Sequence, residues 1–139
     1  MLIRRKFQFD AAHMLSNYTG KCANLHGHTY TGEVCISADV VEITGMVLDY
    51  NVIKKVIDVF DHALLLSGVS ERSQAEHDLL CWALRYGMKY ADIGYKCTAE
   101  NIAKLIAKMI ADKIDRKCNV QVWLHETPDS TAMYEEKHK

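Results

Sequence analysis

The sequence KCANLHGHTY spans residues 21–30 and supplies two histidines separated by one glycine. Side chains alternate between the two faces of a strand, so an extended backbone places His26 and His28 on the same face. We therefore expect the two imidazoles to converge on one point. Cys22 lies four residues before the first histidine and is a candidate reactive group.

A third histidine, His13, ends the run FQFDAAH at residues 7–13. Four apolar residues share its parity, as expected for the inward face of a neighbouring strand: Ile3, Phe7, Phe9 and Ala11. Zn²⁺ binds neutral imidazole well, and three histidines with an open fourth position are typical of a catalytic zinc. For one histidine alone, a partly buried strand residue is the commoner interpretation, and Gly27 alone would suit a bulge. Three histidines with Cys22 favour a zinc site at His13, His26 and His28.

Composition limits the class of protein. A length of 139 residues predicts a single domain, residues 1–139, with its own core, and 49% apolar with 25% charged residues is ordinary for a globular protein. A net charge of −1, without a long run of one sign, predicts no binding of nucleic acid or of an anionic membrane surface. No apolar run approaches the ~20 residues of a membrane span, and the N-terminus has no signal-peptide core. The five cysteines show no disulfide or zinc-finger spacing, which favours the cytoplasm.

Periodicity predicts an α+β fold. Residues 2–13, 26 to about 40, 118–126 and the segment after the turn at 127–130 are expected to be strands. Asp49 is a predicted N-cap for a helix ending near Asp61 and His62, and Thr98 is the predicted N-cap of a second helix. Residues 67–96 stay undecided, apart from a short amphipathic piece near residues 79–84. The expected architecture is a four-stranded antiparallel sheet with two helices on one face.

Six motifs in order resemble the 6-pyruvoyl-tetrahydropterin synthase / 6-carboxytetrahydropterin synthase family over nearly the whole chain. They are FDAAH at 9–13, KC and HGH at 21–28, GMVLDY at 45–50, DH at 61–62, TAEN at 98–101 and HET at 125–127. The resemblance implies the tunnelling fold (T-fold), in which sheets of several subunits join into a barrel. It also implies a homo-oligomer, usually a hexamer made of two trimers, with sites at subunit interfaces.

The resemblance also implies the roles of the site residues. His13, His26 and His28 would bind zinc, and Cys22 would be the base that abstracts a proton. Asp61 and His62 would form a relay on the other side of the substrate, and Glu126 would anchor the pterin ring. Thr98 and Glu100 would lie beside the pterin, although both suit helix capping equally well.

The implied substrate is 7,8-dihydroneopterin triphosphate. Three residues separate Cys22 from His26, as in the bacterial family members that form 6-carboxy-5,6,7,8-tetrahydropterin, acetaldehyde and triphosphate on the route to queuosine. That product is our expectation. The alternatives are the 6-pyruvoyl product, formed by triphosphate elimination without carbon–carbon cleavage, and a non-catalytic relative that only binds zinc and pterin. Because mere binding needs no proton-transfer groups, Cys22 with Asp61 and His62 favours an enzyme.

Two positions depart from the family pattern. The family usually has proline before its Thr-x-Glu-Asn run, where this chain has Cys97, and often Leu-Asn after Asp-His, where this chain has Leu65 and Leu66. Neither change removes a chemical group assigned above. Both make the local loop structure harder to predict.

Overall fold

Two long antiparallel strands form the centre of the sheet: β1 (Leu2–His13) and β2 (His26–Ala38). The computed structural model describes residues 1–138 and pairs these strands along their whole length. The register places His13 opposite His26 and Ala11 opposite His28. The predicted alternation is therefore confirmed, although β2 ends about two residues before the predicted boundary.

Four further strands extend this pair: β3 (Ala63–Leu66), β4 (Tyr90–Asp92), β5 (Cys118–Thr127) and β6 (Ser130–His138). In the described residues the six strands form one sheet with the order β4-β3-β1-β2-β5-β6. β5 and β6 continue the antiparallel pairing, whereas β3 is parallel to β1 and β4 is parallel to β3. The predicted four antiparallel strands are present, and two short parallel strands extend them at one edge.

Residues 1–138 contain three α-helices: α1 (Tyr50–Ile57), α2 (Gln74–Tyr86) and α3 (Ala99–Ala111). α1 contacts β1, and α3 contacts α1, β5 and β6, so both cover the face of the sheet that carries the core. Ile102, Ile106 and Ile110 of α3 are fully buried there, each stabilising the fold by about 1.5–3 kcal/mol. The α+β fold class is confirmed, with α1 and α3 on one face of the sheet. No helix among the described residues is long and apolar enough to cross a membrane.

The helix caps follow the sequence signals, with one difference in length. The Asp49 side chain accepts the Asn51 N–H, and the Thr98 side chain accepts the Asn101 N–H, so both predicted N-caps are confirmed. α1 ends at Ile57, however, and the prediction that it continues to His62 is wrong. His62 has φ 55°, in the left-handed region, which a continuing right-handed helix excludes.

α2 occupies the stretch that the sequence pattern left undecided. Ser73 and Glu76 form a capping box at its start, and Gly87 ends it in the left-handed conformation. Only Glu76 and Ala83 of this helix are buried. The amphipathic piece predicted near residues 79–84 is therefore part of a longer helix with a narrow buried face.

Candidate active site

The structure brings together the three histidines predicted as metal ligands. One ring nitrogen from each of His13, His26 and His28 lies within 4.8 Å of the others. The pairing of β1 with β2 sets His13 beside His26, and His28 follows two residues along the same face. The intervening Gly27 allows close approach to β1, because a Cβ there would lie 3.1 Å from the Ala11 carbonyl oxygen.

Backbone carbonyls fix the orientation of two of these rings. The Nδ1 of His13 lies 2.8 Å from the Cys97 carbonyl oxygen, and the Nδ1 of His26 lies 2.7 Å from the Asn24 carbonyl oxygen. A carbonyl oxygen only accepts, so both Nδ1 atoms donate and both Nε2 atoms keep a free lone pair. This is the tautomer that a histidine uses to bind metal through Nε2.

The Nε2 atoms of His26 and His28 are also available to bind a cation. Among the described residues, the buried Nε2 atoms of His26 and His28 have no hydrogen-bond partner. Burial lowers the pKa of His28, and His13 and His26 lower it further against the opposing effect of Glu126. His28 is therefore neutral near pH 7, as a ligand must be. Three imidazoles on one face of the sheet fit the ligand set of a zinc site.

Glu126 of β5 lies beside the same histidines. Its Oε1 is 3.3 Å from the Nε2 of His13 and 3.5 Å from the Nε2 of His28. The contact with the Nε2 of His13 is the main cause that holds the pKa of Glu126 below its usual range, against the opposing effect of burial. An ionised carboxylate that faces imidazole nitrogens favours a proton or a metal cation between them.

Tyr30 of β2 adjoins the cluster, with its ring beside those of His13 and His28. Its side chain is fully buried, and its hydroxyl lies 3.3 Å from the Nε2 of His13. Burial, followed by the charge of Glu126, raises the pKa of Tyr30, so the hydroxyl stays protonated. Its shared parity with His26 and His28 was the available signal for this position.

Thr98, Glu100 and Glu126, the predicted pterin contacts, line one cavity of about 240 Å³. The remaining lining residues are Leu15, Ala99, Ser130, Thr131 and Ala132. Thr98 also caps α3, and Glu100 is exposed in the first turn of that helix. The capping and the ligand-contact interpretations of Thr98 and Glu100 are therefore compatible.

Cys22 lies in a short 3₁₀ turn, Lys21–Ala23, just before β2. Its side chain is half-buried, and its backbone carbonyl accepts the Leu15 N–H at 2.9 Å. The thiol is not part of the group of ligand atoms that lie within 4.8 Å of one another. The structure therefore places Cys22 in the loop between the two histidine strands, outside the histidine cluster.

Asp61 and His62 form a hydrogen-bonded pair held against β1. The Nδ1 of His62 lies 3.0 Å from the Oδ1 of Asp61, which also accepts the Asp10 N–H at 3.0 Å. That bond from Asp10 is the main cause that lowers the pKa of Asp61. The His62 N–H donates to the Asp10 carbonyl at 2.6 Å, and the Lys89 ammonium donates to the Asp61 carbonyl at 2.6 Å.

His62 lines a different cavity from that of Glu126. This second space, here named the α2 cleft, has a volume of about 640 Å³ and contains His28 and His62. Its other lining residues are Asp10, Ala11, Ala12, Leu25, Gly27, Thr29, Ala63, Leu64, Leu79, Trp82, Met88 and Lys89. A larger cavity of about 880 Å³, lined by Arg4 and Trp123 among others, contains none of the predicted site residues. The predicted groups are thus divided between two spaces: Glu126, Thr98 and Glu100 line one, and His28 and His62 line the other.

Comparison with known proteins gives a family for this arrangement. The family described as 6-pyruvoyl tetrahydropterin synthase matches residues 2–137. The 6-carboxy-5,6,7,8-tetrahydropterin synthase of Haemophilus influenzae is 36% identical, over 96% of this chain and 98% of its own length. The protein of the same name from Rickettsia conorii is 35% identical, over 90% of this chain and 93% of its own length.

Solved structures agree on the fold. An uncharacterized protein of Wolinella succinogenes has a TM-score of 0.70 at 18% identity, covering 96% of this chain and 97% of its own. The 6-pyruvoyl tetrahydropterin synthase of Plasmodium vivax has a TM-score of 0.64 at 18% identity, covering 99% of both chains. The family match across residues 2–137 and the two bacterial relatives establish that this chain belongs to the 6-pyruvoyl tetrahydropterin synthase family.

Proposed function

We propose that this protein is a zinc-dependent 6-carboxy-5,6,7,8-tetrahydropterin synthase of queuosine biosynthesis. It would convert 7,8-dihydroneopterin triphosphate to 6-carboxytetrahydropterin, acetaldehyde and triphosphate. The observation that carries the proposal is the convergence of His13, His26 and His28, with Glu126 beside two of them and lining a cavity. The names of the two bacterial relatives support the choice of product, and so does the spacing between Cys22 and His26.

The three histidines would hold the zinc. Their Nε2 atoms are the available ligands, because the Nδ1 atoms of His13 and His26 donate to backbone carbonyls. A bound zinc would supply a Lewis acid that polarises the oxygens of the substrate side chain and acidifies the adjacent C–H. These histidines would hold the metal in place, and they would not transfer protons themselves.

Two groups would move protons. Cys22, as a thiolate, would take the proton from the acidified carbon. Asp61 accepts from the Nδ1 of His62 at 3.0 Å and so favours the tautomer whose Nε2 can exchange a proton with the substrate. His62 is largely exposed, with 76% of its side chain accessible, which leaves that nitrogen open to a ligand.

Glu126 would orient the pterin. A carboxylate can accept two N–H bonds from the aminopyrimidinone edge, and ionised acceptors make the stronger bonds. The low pKa of Glu126 keeps it ionised at neutral pH. Because it lies between the histidines and the cavity of Thr98 and Glu100, it would set the ring next to the metal ligands.

An assay for acetaldehyde tests the proposal. Zinc-loaded protein incubated with 7,8-dihydroneopterin triphosphate should release acetaldehyde and triphosphate in equal amounts. Triphosphate release without acetaldehyde would instead identify the 6-pyruvoyl reaction. Pterin binding with neither product would identify a non-catalytic relative.

A further inference from the structure

Glu76 is a buried carboxylate outside the candidate site. It is inaccessible to solvent, and its oxygens accept from the Ser67 N–H at 2.9 Å, the Ser73 N–H at 3.0 Å and the Ser16 hydroxyl. Burial favours the neutral acid, yet the bonds from Ser16, Ser73 and Ser67 together lower the pKa of Glu76. The bond from Ser73 belongs to the capping box of α2, whereas the bonds from Ser67 and Ser16 reach two other segments of the chain.

One path of hydrogen bonds leads from Glu76 to a metal ligand. The hydroxyl of Ser67 accepts the Cys97 N–H at 3.2 Å, and the Cys97 carbonyl accepts the Nδ1–H of His13 at 2.8 Å. Each of the four residues on this path is at most 1% exposed. Glu76 therefore fixes the segment whose carbonyl selects the tautomer of His13.

A second path leads from Glu76 to the loop that carries Cys22. The hydroxyl of Ser16 donates to Glu76 and lies 3.0 Å from the hydroxyl oxygen of Ser73. The neighbouring Leu15 N–H donates to the carbonyl of Cys22 at 2.9 Å. α2 is thereby joined to the segment between β1 and β2 at Ser16, and the adjacent residue, Leu15, contacts Cys22.

Cys97, which stands where the family pattern has proline, supplies the backbone N–H in the path from Glu76 to His13. Proline, which the family pattern places at this position, has no backbone N–H and could not bind the hydroxyl of Ser67. With Cys97, the backbone both donates to Ser67 and accepts from His13. The connection from α2 to the histidine cluster therefore depends on this departure.

We propose that Glu76 is a positioning residue for the metal centre. It holds Ser67, and through Cys97 it keeps His13 in the Nδ1–H tautomer, while Ser16 ties the Cys22 loop to the same carboxylate. The proposal rests on the proposed function for the identity of the centre. It differs from a purely structural role for Glu76, in which metal affinity would only follow the stability of α2.

Metal titration with matched variants tests the proposal. Glu76→Gln removes the charge and one of the two acceptor oxygens that Ser67, Ser73 and Ser16 share. Ser67→Ala removes the hydroxyl that accepts the Cys97 N–H, whereas Ala83→Gly destabilises α2 at its other buried residue without touching the path. Co²⁺ binding to the full-length metal-free protein is followed by visible absorption. Imidazole ¹⁵N shifts of the metal-free protein report the tautomer of His13.

We expect Glu76→Gln and Ser67→Ala to bind Co²⁺ at least about tenfold more weakly than wild type, as for other partners that orient a metal-bound histidine. Both should show a mixture of His13 tautomers, and Ala83→Gly should match wild type in both measurements. Wild-type affinity and tautomer in Ser67→Ala would overturn the proposal, and so would an equal loss of affinity in Ala83→Gly. If Glu76→Gln does not fold, Ser67→Ala decides.

The tautomer measurement separates this proposal from the proposed function. It is made without metal or substrate, so an enzyme that forms a different product would leave the result unchanged. If wild-type protein bound no Co²⁺, the proposed metal centre would be wrong. A single His13 tautomer in wild type that becomes mixed in Ser67→Ala would still support the positioning role of Glu76, and unchanged tautomers would overturn it.

Discussion

The three histidines are the residues on which the proposed chemistry depends most directly. Replacing His26 with alanine removes a nitrogen that is buried, unpaired and directed at the other two rings. We expect His26→Ala to lose its bound zinc and its activity. Metal analysis of the purified protein measures the loss, with His77→Ala as control, because His77 is exposed on α2. Wild-type zinc content in His26→Ala would remove the metal centre from the proposed function.

Cys22 is predicted to take part in catalysis but not in the binding of zinc or pterin. Its thiol lies outside the cluster of metal ligands, so its removal should leave the metal and pterin sites intact. We expect Cys22→Ala to bind zinc and pterin as wild type does but to lose turnover by about 10²–10⁴-fold, the usual contribution of general acid–base catalysis. Cys81→Ala, at an exposed cysteine, is the control. Undiminished turnover in Cys22→Ala would exclude it as the base.

The ionisation of Glu76 should make the free energy of unfolding depend on pH. Its pKa is lowered in the folded protein, so it contributes stability above its unfolded pKa of about 4.3 that is lost as the pH falls through the lower, folded value. Other carboxylates titrate in the same range, so the comparison is with Glu76→Gln. Urea unfolding between pH 7 and 3 should show a difference between the two proteins that is constant above about pH 5 and shrinks below it. Parallel losses would mean that the pKa of Glu76 is the same in the folded and unfolded states.

At the scale of elements, the connection between α1 and β3 determines the positions of Asp61 and His62. Lys89, just before β4, donates to the carbonyls of Asp58 and Asp61 and so holds the turn in which His62 adopts its left-handed conformation. Strained backbone of this kind persists only where the surrounding structure holds it. The short strand β4 therefore serves the candidate site although it lies at the edge of the sheet.

Lys89→Met tests that role. Without the ammonium group the Asp61–His62 turn loses two hydrogen bonds, and we expect kcat to fall by on the order of tenfold to a hundredfold, since small misplacements of catalytic groups have effects of this size. The apparent affinity for pterin and the zinc content should change little. Lys113→Met, at an exposed lysine after α3, is the control. An unchanged kcat would show that the turn holds its shape without Lys89.

The same elements show what the sequence could and could not predict. Period-two alternation predicted β1, β2 and the convergence of the histidines, and the caps Asp49 and Thr98 predicted where two helices begin. Of α2, only the amphipathic piece near residues 79–84 was predicted, because the helix begins with the mostly polar residues QAEHD and buries only Glu76 and Ala83. β3 is four consecutive apolar residues without alternation, and its parallel partners come from distant parts of the chain. The links of Glu76 and Lys89 to the site are likewise contacts between distant residues that no local pattern encodes.

At the scale of the whole molecule, the candidate groups do not share one cavity. Glu126, Thr98 and Glu100 line one space, whereas His28 and His62 line the α2 cleft. The sheet also has two edge strands, β4 and β6, whose free backbone groups another chain can pair. Both features support the proposal of a homo-oligomer, a hexamer of two trimers by the family resemblance, with sites completed between subunits.

Mixing two inactive variants tests whether the sites are shared. If Cys22 of one subunit acts with His62 of another, Cys22→Ala and His62→Ala should each be inactive alone but should form some intact sites when co-expressed. With random assembly from equal amounts, about one quarter of two-subunit sites would contain both groups, so about a quarter of wild-type activity should return. Light scattering on the same samples should show one oligomer larger than a monomer. Activity that stays absent in a mixed oligomer would mean that Cys22 and His62 of a site come from the same chain, and a monomer would contradict assembly itself.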